Sequence, residues 1–247
     1  MTGAFSKYMP ALQKLGKSLM TPIAILPGAA LLLRLGAKDL LNIPIMSQAG
    51  GAVFANLPLL FAIGVAIGFT EDVGVAGLSG AVGFLVLTTV TGEIAKNLNT
   101  SIDVGVFGGI IMGLTAAYLY NRYHKTRLPE FLAFFGGRRF VPILSSLAGL
   151  ALGLVFGAIW PPVQNGIASF GNWVQGHGAA GAAVYIMLNR ALLPFGLHHI
   201  INNPVFFLFG SYTNAAGQTV TGEIPRFFAG DPTAGSFLVG FFPVMLL

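Results

Sequence analysis

FVPILSSLAGLALGLVFGAIW, residues 140–160, carries no charged side chain from Phe140 to Trp160. About 20 such residues in an α-helix cross the roughly 30 Å of hydrocarbon in a bilayer. The stretch therefore reads as a transmembrane span. Five similar apolar runs occur along the chain, at 22–35, 52–69, 73–90, 104–120 and 179–197. The first can extend back to Leu19, and the last is interrupted by Asn189-Arg190. These runs predict an all-α polytopic membrane protein with about six spans.

Composition supports this reading. Only 9% of the 247 residues are charged and 55% are hydrophobic. A soluble domain carries about 25% charged residues, and 9% cannot build a water-facing surface. The 34 glycines would weaken soluble helices, but in membrane bundles small residues let helices approach closely. The chain has no cysteine, which excludes disulfides, thiolate catalysis and Cys-ligated metals within it. His124, His177, His198 and His199 do not form an H-E-x-x-H arrangement, so neither a metal nor a cofactor is expected. The net charge of +5 is not gathered into one stripe, which argues against a nucleic-acid partner. The lipid bilayer is the first partner implied.

The flanking segments complete the organisation. Residues 1–20 read as an amphipathic surface helix, with Phe5, Tyr8, Leu12, Leu15 and Leu19 on one stripe and Lys7, Lys14 and Lys17 away from it. Residues 21–160 hold the first five spans, and 161–247 form a second, partial domain. The run 204–210 is too short to cross and reads as re-entrant or broken. The run 236–247 is still apolar at its last residue, so a truncated chain is the expectation. Placing the N-terminus in the cytoplasm puts Lys7, Lys14, Lys17, Arg122, Lys125, Arg127, Arg138 and Arg139 inside. Only Arg34, Lys38 and Lys96 then lie outside. Gln164-Asn165, after Trp160-Pro161-Pro162, reads as an outer loop with Trp160 as an interfacial anchor. Residues 211–222 are polar and turn-rich, a small hairpin around Asn214 to Gly217.

The chemistry concentrates in NRALLPFGLHHIINNP, residues 189–204. A charged Arg190 facing lipid costs about 2.5–3.5 kcal/mol or more, so it needs a cavity, a partner or water. Pro194 removes a backbone donor and Gly196 loosens the helix. Broken helices at membrane depth line protein or an aqueous cavity. Arg190, His198, His199, Asn202 and Asn203 together supply the donors and acceptors that sugar hydroxyls need. The plainer alternative is that Arg190 snorkels to the interface and the histidines cap a helix end. Glu223 and Arg226, three residues apart, can pair on one helical face or contribute to sugar selectivity. Asp231-Pro232 looks like an N-cap with Pro at the first helical position. Glu71-Asp72 is a solvated turn or a gate contact.

Residues 190–204 resemble the signature of membrane IIC subunits in the glucose superfamily of phosphotransferase sugar permeases. The 128–142 stretch, LPEFLAFFGGRRFVP, resembles that family's cytoplasmic loop before the fifth span. The 222–235 stretch, GEIPRFFAGDPTAG, is similar to the N-acetylglucosamine branch. The resemblance covers essentially the whole chain. It implies the IIC fold, in part, as a homodimer in the bacterial inner membrane, with the first five spans facing the dimer partner. It implies import of N-acetylglucosamine, glucose or glucosamine, with phosphorylation as part of a sugar phosphotransferase complex. Arg190 and His198 match the family's sugar-contacting Arg and His. Asn202, Asn203, His199 and Glu223 are further candidate substrate ligands. By the same resemblance His198 is the candidate catalytic group, near the hydroxyl that receives the phosphoryl group. The donor implied is a phosphorylated IIB domain or subunit, charged in turn by IIA, HPr and enzyme I. The family's later Gly-Ile-Thr-Glu-Pro-like motif and the IIB cysteine are not in residues 1–247. Two other classes stay open: a non-transporting membrane scaffold or sensor, and a gradient-driven secondary transporter.

Overall fold

The structure is a computed structural model that describes residues 3–36, 40–100, 102–192, 205–206, 210–213 and 219–235. Its helices are α1 (Gly3–Ile23), α2 (Leu26–Gly36), α3 (Pro44–Ala55), α4 (Leu57–Gly68), α5 (Val73–Asn97), α6 (Gly105–Tyr123), α7 (Phe140–Gly176), α8 (Gly178–Leu192) and α9 (Glu223–Phe228). Two short 3-10 segments, Glu130–Phe135 and Gly137–Arg139, precede α7. Strands β1 (Ser211–Thr213) and β2 (Thr219–Thr221) pair antiparallel, with Tyr212 opposite Val220. This is an all-α polytopic membrane fold with one small hairpin, where the turn-rich sequence places it. The hairpin's turn lies outside the described residues.

The chain divides into two units, residues 17–161 and residues 1–16 with 162–247. The first is a helical bundle. Its centre is the α4 face formed by Phe61, Ala62, Val65 and Ala66, packed with Ala76 and Leu87 of α5 and Met112 and Ala116 of α6; all are fully buried. The helices meet backbone to backbone. A Cβ added at Gly80 of α5 or Gly113 of α6 would lie 2.7 Å from the Ala62 carbonyl oxygen, so both positions require glycine for close approach. Hydroxyls in the apolar helices bond back to their own backbone: Ser79 Oγ donates to the Val75 carbonyl (2.7 Å) and Thr115 Oγ1 to that of Ile111 (2.8 Å).

Among the described residues three stretches are long and apolar enough to cross a membrane, Gln13–Gly36, Gly74–Asn97 and Gly137–Gly166. The expected span at 52–69 differs from a straight crossing. Here α3 and α4 form a pair bent by 53°, a broken span or a re-entrant loop. Asn56 sits at the bend, its Nδ2 donating to the Ala52 carbonyl (2.9 Å), and Pro58 lies in the first turn of α4. The polar side chain takes one end of α3, and the proline starts the next helix without needing an amide donor. The run at 104–120 forms α6, an interior helix carrying nine buried residues, four of them glycine.

The expected outer loop after Trp160 is not a loop. Helix α7 continues through Pro161, Pro162, Gln164 and Asn165 to Gly176, about 55 Å at 1.5 Å per residue. Nor is Trp160 a lipid anchor. It is buried, its Nε1 donates to the Asp103 carbonyl (2.6 Å), and its ring lies 5.5 Å from those of Phe107 and Phe156. These contacts fix the turn before the prolines in helical geometry. The proline pair costs amide donors without ending the helix.

One polar face of the bundle is built from both the α4–α5 turn and the loop after α6. Asp72 accepts from the Val75 amide (3.4 Å) as the N-cap of α5 and pairs with Arg138 Nη1 (2.9 Å). Asn121 Nδ2 donates to the Phe69 carbonyl (3.0 Å). The Glu71-Asp72 turn is thus partly an ion-pair contact, beyond simple solvation.

Candidate functional site

The candidate site lies in the unit that contains 162–247. Helix α8 is apolar and small-residue rich until its last turns, which carry Tyr185, Asn189 and Arg190. Tyr185 is buried, Asn189 half-buried and Arg190 exposed. The four-residue spacing puts Tyr185 and Asn189 on one face, and their side chains hydrogen-bond. Arg190, one residue on, points away from that face to the surface. The helix thus delivers a guanidinium at its C-terminal end, where positive charge also suits the helix dipole. His198, His199, Asn202 and Asn203 lie outside the described residues. Val205 and Phe206, just beyond them, are buried.

Glu223 opens α9 and is fully buried. Its Oε2 accepts from the Gly235 amide at 2.6 Å. Its Oε1 has no hydrogen-bond partner and faces Arg226 Nη1, also without one, at 3.6 Å. That gap is too long for a hydrogen bond. The expected Glu223–Arg226 pair is therefore present but loose. The tight partner of Arg226 is Asp231. Arg226 Nε and Nη2 both reach Asp231 Oδ2, at 2.8 and 2.7 Å, and Nη2 also donates to Thr233 Oγ1 at 2.8 Å. Asp231 Oδ1 accepts from the Thr233 amide (2.8 Å) and hydroxyl (2.7 Å). The amide contact closes the 232–235 turn, combined with an ion pair; the helix start expected at Asp231 would continue outside the described residues.

The charges balance if Glu223 holds its proton. Burial pushes the Glu223 carboxyl above its ordinary value. The Gly235 amide and Arg226 pull it down without reversing the shift. Burial also pushes Asp231 up, but hydrogen bonds from the Thr233 hydroxyl and amide and from Arg226 outweigh it and hold this carboxyl below its ordinary value. One arginine and two carboxyls share this desolvated knot, and Glu223 keeps its proton to higher pH than a free carboxyl does.

Tyr185, Thr233 and Gly235 are site neighbours that reading the sequence missed, and Asn189, read there only as part of the 189–204 stretch, is the partner of Tyr185. Tyr185 lies within electrostatic reach of Glu223, so the polar face of α8 and the knot belong to one neighbourhood. The i, i+4 spacing of Tyr185 and Asn189 in an otherwise apolar helix was the available signal. Nothing in the sequence separates the Asp231 partnership of Arg226 from the Glu223 one.

An all-α polytopic bundle and, further along the chain, a buried polar knot define a multi-spanning membrane protein. The family model for the phosphotransferase system, EIIC, matches residues 16–247. The chain belongs to that family. It is 52% identical over 236 residues to the N-acetylglucosamine-specific EIICB component of Bacillus subtilis (strain 168), covering 95% of this chain and 50% of that protein. It is 50% identical over 252 residues to the glucosamine-specific EIICBA component of the same organism (98% and 40%). It is also 50% identical over 235 residues to the N-acetylglucosamine-specific EIICBA component of Escherichia coli (strain K12) (95% and 36%). The chain thus spans half or less of the length of these relatives.

Proposed function

We propose that this chain forms the membrane-embedded sugar path of a phosphotransferase-system permease that imports N-acetylglucosamine or glucosamine and phosphorylates it on entry. The observation that carries this reading is the extent of the match. The family runs over 16–247, and relatives 50–52% identical are named for those two sugars. The phospho-donor is a IIB domain or subunit, in keeping with the EIICB and EIICBA composition of the relatives. The working unit is a homodimer in the bacterial inner membrane, with residues 21–160 towards the dimer partner and 161–247 holding the sugar. The N-terminus and the 121–139 loop are cytoplasmic. The eight-to-three distribution of basic residues supports this side. The Asp72–Arg138 and Asn121–Phe69 contacts support the placement of the 70–73 turn and the 121–139 loop on one side.

In this reading Arg190 donates to the sugar, and His198 orients or deprotonates the hydroxyl that receives the phosphoryl group. His199, Asn202 and Asn203 complete the hydrogen bonding. Glu223 borders the site and shapes it through the knot with Arg226 and Asp231. Among the described residues Arg190 is exposed at the end of α8, where its guanidinium is open to a polar ligand. The test is made in the complete transporter, in membranes with its IIB partner. Arg190→Ala should weaken equilibrium N-acetylglucosamine binding roughly tenfold to a hundredfold, the loss of a charged hydrogen-bond donor. His198→Ala should slow phosphotransfer more than it weakens binding. Parental binding and phosphotransfer in both variants would overturn the assignment.

A further inference from the structure

The 3-10 segment Glu130–Phe135 presents three aromatic rings outward. Phe131 is 83% exposed, Phe134 68% and Phe135 45%. The segment is nonetheless well built. The Leu132 amide donates to the Pro129 carbonyl (2.8 Å), that of Gly136 to Ala133 (3.1 Å) and that of Gly137 to Thr126 (2.8 Å). Arg139 Nη1 donates to the Phe134 carbonyl (3.3 Å), and its guanidinium lies over the Phe134 ring at 4.5 Å. Arg138 ties the segment to Asp72. These bonds hold the phenylalanines out of the bundle. Just before them in the chain, Arg122, Lys125 and Arg127 are exposed, and Glu130 is the one acid between 121 and 139.

Position supplies the partner. The apolar stretch Gly137–Gly166, long enough to cross a membrane, begins two residues after Phe135. The segment therefore sits where a spanning helix meets the water boundary. Exposed aromatic rings beside exposed cations, at that level, match the acyl-headgroup boundary of an anionic leaflet. We infer that residues 122–135 form a membrane-surface anchor, with Phe131 and Phe134 inserted below the headgroups and Arg122, Lys125 and Arg127 paired with anionic lipid phosphates. A soluble protein partner would also suit exposed Phe and Arg. Continuity with the start of α7 favours the lipid surface, since the rings need no second molecule to be covered there.

The absence of cysteine from residues 1–247 makes a site-specific probe simple. The chain is reconstituted as Phe131→Cys or Phe134→Cys carrying a nitroxide, in vesicles of phosphatidylcholine with or without phosphatidylglycerol. Both labels should collide more with membrane-dissolved oxygen than with a water-soluble nickel chelate, and more so with phosphatidylglycerol present. Replacing Arg122, Lys125 and Arg127 by Gln should lower the preference for phosphatidylglycerol, by up to about fivefold for each charge. Circular dichroism of each variant checks that its helical content matches the parent. Labels that meet the nickel chelate freely in both vesicle types would overturn the anchor. So would labels that become shielded only when a phospho-donor IIB protein is added.

Discussion

The bundle of residues 17–161 and the knot of residues 223–235 solve burial in opposite ways. Among the described residues the bundle keeps charged side chains out of its centre, buries only hydroxyls there, and lets backbones touch through glycine, as where Gly80 and Gly113 crowd the Ala62 carbonyl. The knot buries three ionisable groups within nine residues, pairs Arg226 tightly with Asp231, and leaves Glu223 on the Gly235 amide with only a loose contact to Arg226. Close packing without charge defines a fixed geometry. A knot of paired ionisable groups also defines a geometry, but one that responds to protonation and to the loss of any member. On the proposed reading as a sugar permease, the bundle supplies a rigid frame and the polar unit supplies groups that meet a hydrophilic cargo.

Removing the knot's cation should have the largest effect. Arg226→Ala leaves Asp231 buried without its partner, a loss of about 3–5 kcal/mol, measurable as a lower unfolding midpoint in mixed detergent micelles. Glu223→Gln tests the protonation reading. The Glu223 carboxyl lies above its ordinary 4.5, so above that pH the unfolded chain releases the proton before the folded one does. The contribution of Glu223 to stability therefore falls as pH rises through the folded value. Asp231, held below its ordinary 3.8, contributes stability above that pH and loses it as pH falls through its lower folded value. Stability should peak between these limits, and Glu223→Gln should flatten the high-pH limb alone. An unchanged limb would mean that Glu223 is ionised in the folded protein.

The bundle is probed by a pair of glycines. A Cβ at Gly113 would stand 2.7 Å from the Ala62 oxygen and 2.8 Å from Val65 Cβ, whereas one at Gly92 meets nothing within 4 Å. Gly113→Ala should destabilise by about 1–3 kcal/mol through overpacking. Gly92→Ala should stabilise by up to about 1 kcal/mol through helix propensity. Equal effects at the two sites would show that the backbone contact does not limit the packing.

The same contrast explains what the sequence revealed. Apolar length and glycine content announce the helices α5, α6 and α7, because membrane solvent makes composition a direct signal. The hairpin was legible from Asn214, Gly217 and the flanking Thr and Val. The path of α7 past Pro161-Pro162 was not. It depends on Trp160 reaching Asp103, 57 residues away, and no local pattern encodes such a contact. The bend between α3 and α4 was hidden in an apolar run whose only marks are Asn56 and Pro58. In the candidate site the signature residues announced themselves as polar groups inside an apolar stretch. The Asp231 partner of Arg226 did not, since Glu223 at i−3 offered an equally good pairing.

The smallest effect expected lies at the polar face of the bundle, where Asp72 meets Arg138 at 2.9 Å with the arginine side chain 68% exposed. Solvent screens such a pair, and exposed ion pairs contribute about 0–1 kcal/mol. A double-mutant cycle of Asp72→Asn and Arg138→Gln should give a coupling energy within that range, weakening further as salt rises. The single variant Asp72→Asn isolates the other role of this residue, since Asn also caps helices well and leaves the Val75 contact in place. Its cost should then equal the ion-pair term alone. A coupling energy above about 2 kcal/mol would mean that this pair is shielded from water. The polar face would then be a buried contact like the knot, and the line drawn between the two regions would fall.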